Sequence, residues 1–485
     1  IQSLNSELDG SEDFCLRAGM FFSRLNNFIY SYECFSLATK IDPSFETALV
    51  EKFNAMRELC DWKEFYNSKK IIQKVMFENS LIQPFSILNQ QDDPISQKLS
   101  AENFVKKDLN FKREKMDELV KENSKKIRIG YFSADFLDHP VSRLISKMFT
   151  LHDKNKFEIF CYSFKAKEDC KVQKLFIENS NSFINAEKLS DREIIEIARK
   201  DKIQIAIDLM GYTKGGRPKI FSTGVAPIQI NYLGYPSTTG ASYMDYIIAD
   251  EIVIPQNYEK YYTEKVLRLP NTFMPTDDSQ KVSKRFITKT EMGLPEKGLV
   301  FCSFNRCSKI CPDVFDIWME ILLEIEGSVL WLSRPNKWAE KNLIQEAKNR
   351  RVNPSRIIFA DIMKMEEYYK RHHLADLCLD TLGYNSHATA VDCLWSGLPL
   401  ITKIGKGFQA RVAASLLTAL GMEELITESN LEYKNLILKL AKDPIYISNL
   451  KTKLKKNLTE KPLFNTLKYI RNFEDALTKV YFDLK

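Results

Sequence analysis

Two successive series of short β-rich runs, with helical patterns between them, constrain the fold more than any other feature of the chain. The first series comprises the runs 127–133, 157–162, 203–208, 228–232 and 246–249. The second comprises the runs 299–303, 329–332, 356–359, 374–379 and 398–402. Near-continuous apolar strands that alternate with helices indicate buried parallel sheets with helices on both faces. The pattern therefore predicts an α/β protein with two doubly wound, Rossmann-like units that face a cleft.

The length of 485 residues accommodates two such units and an extension. Pro, Asp, Ser and Lys accumulate between 269 and 297, and we expect the junction of the two units there. The predicted segments are a helical region over 1–66, a helical linker over 67–126, a first unit over 127–280, a second unit over 281–460 and a C-terminal helix over 461–485. One apolar stripe of the last helix is expected to be buried: Leu467, Ile470, Phe473, Leu477 and Val480.

The helical region carries a short pattern at 38–43, Ala-Thr-Lys-Ile-Asp-Pro, where one helix stops and another begins. This pattern is typical of the end of a tetratricopeptide repeat, and one repeat cannot bury its own apolar face. Because the sequence opens with Ile1 rather than Met, we expect further repeats upstream. An ordinary helical hairpin is the alternative for this segment.

Composition excludes several classes of function. The 70 Lys and Arg nearly balance the 64 Asp and Glu, and no basic tract interleaves with aromatic residues, so no nucleic-acid partner is expected. No apolar run approaches the ~20 residues that span a bilayer, which predicts no membrane partner. The 10 Cys form no recurrent framework and are expected to be reduced thiols of a cytoplasmic or nuclear protein. The absence of G-x-G-x-x-G and Walker A motifs disfavours nicotinamide and ATP chemistry.

A loop in the second unit gives the strongest local signal for a ligand site. We expect Asn385 or Ser386 to cap a helix that opens at His387, where free backbone N–H groups and the positive end of the helix dipole face the cleft. Such a helix start suits a diphosphate. Asp392 lies one turn beyond Thr389 and can accept hydrogen bonds from ribose hydroxyls. A purely structural capped helix is the alternative.

A second loop of the same unit, directly after the run 299–303, places Lys309 as a point positive charge in the cleft. A departing nucleoside diphosphate gains negative charge, and a preorganised ammonium stabilises that transition state more than the ground state. Arg306 offers a second positive contact, and a solvated surface lysine is the alternative for Lys309. Because these groups neutralise a diphosphate and no cluster has metal-ligand spacing, we expect no metal and no cofactor.

In the first unit, His139 lies in a loop after a strand, beside a proline, and a helix is expected to open at Val141. A histidine there can serve as a general base or a sugar contact, and a structural histidine is the alternative. The loops 208–216 and 233–240 supply glycines for close backbone approach and hydroxyls for sugar recognition.

A set of short stretches along the chain forms one further pattern. These stretches are 60–62, 131–136 with 139–140, 211–214, 226–229, 233–236, 244–248, 330–332, 374–381 and 411–415. Together they resemble the catalytic region of the O-GlcNAc transferases, glycosyltransferase family 41, over nearly the whole chain. The resemblance implies a GT-B fold and inverting transfer of N-acetylglucosamine from UDP-GlcNAc to Ser or Thr hydroxyls of proteins in the cytoplasm and nucleus. It also implies a homodimer formed through upstream tetratricopeptide repeats.

The resemblance further implies roles for individual residues. His139 would be the catalytic histidine, and Lys309 the lysine on the diphosphate, with Arg306 beside it. The second unit would hold the nucleotide, with uracil and ribose cradled by Met363, Lys364, Met365, Tyr368, Tyr369, Lys370 and Arg371. The diphosphate loop and the ribose contact would be His387, Ala388, Thr389 and Asp392. The sugar pocket would be lined by Thr213, Leu233, Gly234 and Pro236.

Some positions depart from the pattern of the animal enzymes. Those enzymes have Gln for Arg306, Lys for Met365, His for Tyr368 and Thr for Ala388, so the uracil contacts would be partly rebuilt. The short stretch between the two units indicates that the large intervening domain of the animal enzymes is absent.

Three other functions compete with this interpretation. A SPINDLY-like protein O-fucosyltransferase uses GDP-fucose, but its diphosphate loop is Thr-rich and its first-unit loop carries Gly-His-Thr where this chain has Gly-Tyr-Thr at 211–213. A sugar-nucleotide epimerase of the same fold needs paired carboxylates in the cleft. A non-catalytic repeat scaffold is disfavoured because both His139 and Lys309 are present.

Overall fold

The first sheet of the protein is seven-stranded and entirely parallel. A computed structural model describes residues 12–77, 82–109, 113–114 and 125–484. The strands of this sheet are β1 (Ile127–Ser133), β2 (Phe157–Ser163), β3 (Ser182–Asn185), β4 (Ile205–Asp208), β5 (Ile228–Asn231), β6 (Tyr246–Ala249) and β7 (Lys265–Arg268). Their order is β3-β2-β1-β4-β5-β6-β7.

The second sheet is six-stranded and also parallel. Its strands are β8 (Val300–Ser303), β9 (Val329–Ser333), β10 (Ile357–Ala360), β11 (Leu377–Leu379), β12 (Leu400–Lys403) and β13 (Ile426–Thr427). Their order is β10-β9-β8-β11-β12-β13. In both sheets the strand order reverses beside the first strand, which opens a crevice at the carboxyl ends. The predicted α/β class with two doubly wound units, the GT-B arrangement, is confirmed.

Helices precede, cover and follow the sheets. The extension contains α1 (Glu12–Arg24), α2 (Phe28–Ile41), α3 (Glu46–Glu58), α4 (Phe65–Phe77), α5 (Pro84–Leu88) and α6 (Pro94–Asp108). The first unit adds α7 (Pro140–Leu151), α8 (Lys171–Asn179), α9 (Asp191–Lys200) and α10 (Pro218–Thr223). The second unit adds α11 (Pro312–Glu324), α12 (Lys337–Asn349), α13 (Met365–Arg371), α14 (Ala388–Trp395), α15 (Val412–Ala419), α16 (Asn430–Ala441) and α17 (Pro444–Glu460). The final helix is α18 (Thr466–Leu484).

Each predicted β-rich run corresponds to a strand, but β3, β7 and β13 were not predicted. All three lie at sheet edges, and β3 and β7 are only partly buried. An edge strand needs no continuous apolar run, so its sequence lacks the signal that marks a central strand.

The helix that follows β1 begins one residue earlier than expected. It starts at Pro140 rather than Val141, with His139 as the capping residue. Proline is favoured in the first helical turn because its fixed φ suits the helix and its missing N–H has no intrahelical partner there.

The helical extension packs against the second unit. The break between α2 and α3 falls at the predicted Asp-Pro step, since α2 ends at Ile41 and α3 begins at Glu46. The ring of Trp62, after α3, lies 5.2 Å from the ring of Phe315 in α11. Val50 and Phe53 of α3 belong to the same apolar cluster as the second unit. The extension is therefore part of the hydrophobic core.

The C-terminal helix α18 returns to the first unit. Phe473 packs against Tyr232 with ring centroids 5.4 Å apart, and Glu474 accepts a hydrogen bond from buried His152 at 3.1 Å. Ile470, Leu477 and Val480 are buried as predicted. Leu467 is 53% exposed, so its predicted burial is wrong. Leu467 lies on the exposed side of the first turn of α18, whereas Thr466 and Tyr469 in the same turn are buried.

Two segments cross between the units, and they are hydrogen-bonded to each other. Thr276, between β7 and β8, donates from its hydroxyl to the Leu463 carbonyl at 2.7 Å. The Thr466 hydroxyl donates to the Thr276 carbonyl at 2.9 Å. The outgoing and returning crossovers therefore form one paired connection.

Two further properties bear on the class of protein. No helix within the described ranges is long and apolar enough to span a bilayer. All 10 cysteines are unpaired, and most are buried.

We expect Phe473→Ala to lower the free energy of unfolding by about 3 to 5 kcal/mol, because a large buried ring leaves a cavity under the returning helix. Leu467→Ala on the same helix should change it by less than about 0.5 kcal/mol, because the side chain is largely exposed. Chemical denaturation of both variants measures the difference. Equal losses would contradict the packing of α18 described above.

Candidate active site

A narrow crevice opens where the two units meet. Pro140 and Arg143 at the start of α7 line it from the first unit, and Tyr369, Ala388 and Asp392 line it from the second. The structure therefore brings the helix after β1 against the predicted diphosphate and ribose residues of the second unit.

Lys309 lies in a short 3₁₀ turn, Cys307–Lys309, that follows β8. Its Nζ donates to the Asn385 carbonyl at 2.7 Å and lies 4.1 Å from the centroid of the Tyr384 ring. Burial lowers the pKa of Lys309 to about 7, although the charge of Asp380 opposes this shift. Because its direct partners are a neutral carbonyl and an aromatic face, the ammonium is suited to receive an anion.

Asp380 directly follows the strand β11 and organises the loop beyond it. Its Oδ1 accepts from the backbone N–H groups of Thr381 at 2.8 Å and Ser386 at 2.6 Å, and its Oδ2 accepts from the Thr402 hydroxyl at 2.6 Å. Burial raises the pKa of Asp380 to about 6, against these hydrogen bonds and the charge of Lys309. We did not predict Asp380 as a site residue, although a carboxylate before a Thr- and Ser-bearing loop is a usable sequence signal.

The helix after this loop begins one residue later than predicted. It opens at Ala388, with His387 as the capping residue, so the predicted opening at His387 and caps at Asn385 or Ser386 are wrong. Both side chains are engaged elsewhere, because the Asn385 amide donates to the Thr381 carbonyl at 3.1 Å and the Ser386 hydroxyl accepts from Asn305 at 2.6 Å.

The first turn of α14 presents backbone donors to the crevice. In the part of the chain that the structure describes, no backbone carbonyl accepts from the N–H groups of His387, Ala388 and Thr389. The positive end of the helix dipole adds to these N–H groups. This helix start lies beside the Lys309 ammonium, since Asn385 connects the two. Together they offer a positive charge and backbone donors to an anion, and binding of a diphosphate there stays a prediction.

His387 is held in one orientation. Its Nε2 donates to the Gln409 carbonyl at 3.0 Å, and its ring stacks on Tyr384 with centroids 4.9 Å apart. Burial, with the nearby charge of Lys309, lowers the pKa of His387 to about 3. The imidazole is therefore neutral near pH 7, and its Nδ1 carries the free lone pair.

His139 caps α7 directly before Pro140, which lines the crevice. Its Nδ1 accepts from the Val141 N–H at 3.4 Å and lies 3.3 Å from Asp135 Oδ2. Burial lowers the pKa of His139, while Asp135 opposes this shift, and 43% of the side chain remains exposed. When Nδ1 instead carries the proton, it gives up the Val141 N–H and donates to Asp135, and Nε2 is then unprotonated, which is the form that a general base requires. Asp135 was not predicted, and its signal is the i, i+4 spacing.

Asp392, the predicted ribose contact, lies near the basic side chain of Arg143 and is hydrogen-bonded to Tyr369. Burial raises the pKa of Asp392 to about 7, and the charge of Arg143 and a hydrogen bond from Tyr369 oppose that shift. A carboxylate so placed gains by accepting hydrogen bonds from a ligand.

The predicted uracil residues fall into two groups. Met363 and Lys364 precede α13 after β10, and Met365 and Lys370 lie on α13 itself. Tyr368 packs edge-on against His372 at 4.8 Å, and the guanidinium of buried Arg371 lies 4.6 Å from the Tyr368 ring centroid. Arg371 also donates to the Asp361 carbonyl at 2.8 Å. The side chains of Tyr368 and Arg371 are therefore already engaged by neighbouring groups, and their contact with uracil stays a prediction.

The predicted sugar loops of the first unit pack tightly on each other. The Thr213 hydroxyl donates to the Met210 carbonyl at 2.7 Å, and Leu233 has a positive φ of 70°. A Cβ on Gly234 would lie 1.9 Å from the Leu209 carbonyl oxygen, so only glycine fits there. Pro236 is buried beneath the loop.

Arg306 is engaged by the helical extension. Its guanidinium pairs with Glu58 of α3 at 2.9 Å, and 63% of its side chain is exposed. Its contact with substrate stays a prediction. Among the residues that the structure describes, no three His, Cys, Asp or Glu side chains are grouped to hold a metal ion.

Known proteins resemble this chain in both sequence and fold. The description of the matching family is Glycosyl transferase family 41, over residues 98–286 and 276–473. A probable UDP-N-acetylglucosamine–peptide N-acetylglucosaminyltransferase, SEC, of Arabidopsis thaliana is 36% identical over 363 residues, 74% of this chain and 37% of that protein. The UDP-N-acetylglucosamine–peptide N-acetylglucosaminyltransferase of Caenorhabditis elegans is 27% identical over 477 residues, 75% of this chain and 41% of that protein.

A solved structure agrees at the level of fold. An O-GlcNAc transferase mutant of Thermobaculum terrenum superposes with a TM-score of 0.83 at 23% identity, covering 100% of this chain and 93% of that one. The chain spans less than half the length of the two curated relatives above.

We expect uridine diphosphate to bind with uptake of a proton at pH 8. The pKa of Lys309, about 7 without ligand, leaves the amine largely neutral there, and bound phosphate charge raises that pKa. Below pH 7 the amine is already charged, so the uptake fades and binding tightens. Isothermal titration calorimetry in two buffers of different ionisation enthalpy measures the uptake.

Two variants assign this proton. Lys309→Met should abolish the dependence on buffer, whereas Lys451→Met should keep it. Lys451 is a matched control because its Nζ also donates to a backbone carbonyl, that of Ala375 at 2.9 Å, at the amino end of β11. An unchanged buffer dependence in Lys309→Met would assign the proton to another group.

Proposed function

The chain belongs to glycosyl transferase family 41, and from that membership we propose that it transfers N-acetylglucosamine from UDP-N-acetylglucosamine to serine and threonine hydroxyls of proteins. The printed names of the Arabidopsis and Caenorhabditis relatives describe this transfer to peptides. The unpaired cysteines support acceptors in a reducing compartment, the cytoplasm and nucleus.

One observation carries the proposal: the Lys309 ammonium hydrogen-bonds to the Asn385 carbonyl beside the open first turn of α14. The donor diphosphate would lie on this anion site. As the bond between the anomeric carbon and the phosphate oxygen breaks, its electron pair moves to that oxygen. The ammonium and the backbone N–H groups stabilise the new charge more than they stabilise the bound donor.

The acceptor hydroxyl attacks the anomeric carbon from the opposite face, which inverts that centre. It must lose its proton as it does so, and His139 Nε2 is the base that we propose. Asp135 would keep the proton of the neutral ring on Nδ1 and would stabilise the imidazolium that forms. General base catalysis of this kind contributes typically ~10²–10⁴-fold in rate.

The nucleoside half of the donor would extend from the anion site along α14 to α13. Asp392 would accept hydrogen bonds from the ribose hydroxyls, and the segment 363–371 would enclose the uracil. The high pKa of Asp392 supports this role, because a buried carboxylate with few donors gains from the hydroxyls of a ligand.

The donor is tested in separate reactions with UDP-N-acetylglucosamine, UDP-glucose and GDP-fucose, each with a Ser- and Thr-containing peptide. We expect nucleotide release and a peptide mass gain only with the first, because the loops 211–213 and 387–389 differ from those of the fucosyl-transferring relatives. EDTA should leave the rate unchanged, since Lys309 and the α14 start neutralise the diphosphate. Transfer from GDP-fucose alone would overturn the donor assignment.

The roles in catalysis are tested by single substitutions. Lys309→Ala should lower kcat by about 10²–10³-fold, because the leaving group loses its fixed cation. His139→Ala should lower kcat by about 10²-fold or more. Lys451 also donates to a backbone carbonyl, that of Ala375 at the amino end of β11, and lies 3.8 Å from Asp376. Lys451→Ala should change kcat less than about twofold. Near-normal turnover of Lys309→Ala would remove its assigned role.

A further inference from the structure

The turn that carries Lys309 is held from outside its own unit. Arg57, near the end of α3 in the helical extension, donates from Nε and Nη2 to the Ser308 carbonyl at 3.0 and 2.6 Å. The thiol of Cys60 donates to the neighbouring Cys307 carbonyl at 3.7 Å. Two consecutive peptide groups directly before Lys309 are thus bound by the extension.

The same guanidinium reaches a third segment. Arg57 Nη1 donates to the Asn89 carbonyl, in the polar break between α5 and α6. Arg57 is 5% exposed, so the contact is shielded from water. One buried side chain therefore joins α3, the loop between α5 and α6, and the turn after β8.

The second unit binds the end of α3 in return. Asn336 and Asn342 donate their side-chain amides to the Glu58 and Leu59 carbonyls at 2.6 and 2.9 Å. The Cys307 thiol donates to the Glu58 carbonyl at 3.5 Å. These are carbonyls that a helix end leaves without intrahelical partners, so the second unit completes the helix. Each side of this interface therefore donates hydrogen bonds to backbone carbonyls of the other: α3 to the turn after β8, and the second unit to the end of α3.

Stability alone does not account for a buried arginine here. In the described chain its direct partners are backbone carbonyls, and no carboxylate lies within ion-pair distance of it. Burial lowers the pKa of Arg57, which reflects the cost of removing the cation from water. A well-packed apolar side chain at such a position is often as stabilising as a buried charge. The fork of donors, by contrast, fixes two carbonyl groups, those of Ser308 and Asn89, in one geometry.

We infer that Arg57 is a positioning residue for Lys309: it ties the Ser308 carbonyl to α3 and to the linker, and so aims the ammonium at the donor diphosphate. The inference rests on the function proposed above. It makes the helical extension a working part of the catalytic site, independent of any contact with the acceptor protein. A displacement of about 1 Å in a catalytic group can cost up to ~10²-fold in rate.

The test is a double-mutant cycle measured by nucleotide release from UDP-N-acetylglucosamine. Arg57→Met should lower kcat at least ~10-fold when Lys309 is present, because the turn relaxes. In the Lys309→Ala background the same change should lower it less than about twofold, since nothing remains to be positioned. A residue with a general structural role would lower kcat equally in both backgrounds, and that result would overturn the inference.

Arg356 provides the matched control. It too donates to backbone carbonyls, those of Ser328 and Ile325 at 2.7 and 2.8 Å, near the amino end of β9 and away from the crevice. Arg356→Met should change kcat less than about twofold in either background. If Arg57→Met lacks a cooperative unfolding transition, Arg57→Lys replaces it. Lysine keeps the positive charge but lacks the planar set of N–H donors that the guanidinium provides. Wild-type turnover of Arg57→Lys would overturn the inference.

The failure of the proposed function is distinguishable from the failure of this inference. A wild-type chain that releases nucleotide from no sugar donor would contradict the proposed function. Binding of uridine diphosphate then replaces turnover in the same cycle. Arg57→Met should weaken that binding at least ~5-fold with Lys309 present and less than about twofold with Lys309→Ala. Equal weakening in the two backgrounds, or none, would overturn the positioning role.

Discussion

The hydrogen bond from the Lys309 ammonium to the Asn385 carbonyl is the interaction on which the candidate site depends. It joins the turn after β8 to the loop after β11, two neighbouring strands whose carboxyl ends meet at the crevice. It also places the Lys309 ammonium, which packs on the Tyr384 ring, beside the first turn of α14. An anion bound there would accept hydrogen bonds from both the ammonium and the backbone N–H groups of that turn. The loops around it, including the carboxylate network of Asp380, are organised to keep that arrangement.

Burial sets the charge of the site before any ligand arrives. It lowers the pKa values of Lys309 and His387 and raises those of Asp380 and Asp392, so each group moves toward its neutral form. Burial thus keeps the charges of these groups weak. We expect a bound diphosphate to restore the ammonium, which would make ligand binding and proton binding one event.

The two sheets and the main loops could be predicted from the sequence, because central strands of a parallel sheet are continuous apolar runs. The edge strands β3, β7 and β13 could not be predicted, because they lack such runs. At the site, Lys309 and His139 were predicted from strand-end position and family resemblance. Asp135 was not predicted, although its i, i+4 spacing to His139 is a local signal. Arg57 was not predicted either, because its partners are set by tertiary packing. Ser308 is 251 residues from Arg57, and no local sequence pattern predicts a hydrogen bond between residues so far apart in the chain.

The paired crossovers at Thr276 and Leu463 have a mechanical consequence. The hydrogen bonds of Thr276 and Thr466 tie the outgoing connection to the returning one, so neither connection can shift alone while these bonds hold. Arg411 of the second unit adds another link, because it donates to the Ile252 carbonyl of the first unit at 2.6 Å. The spacing of the His139 imidazole and the Lys309 ammonium therefore depends on contacts that belong to neither catalytic loop.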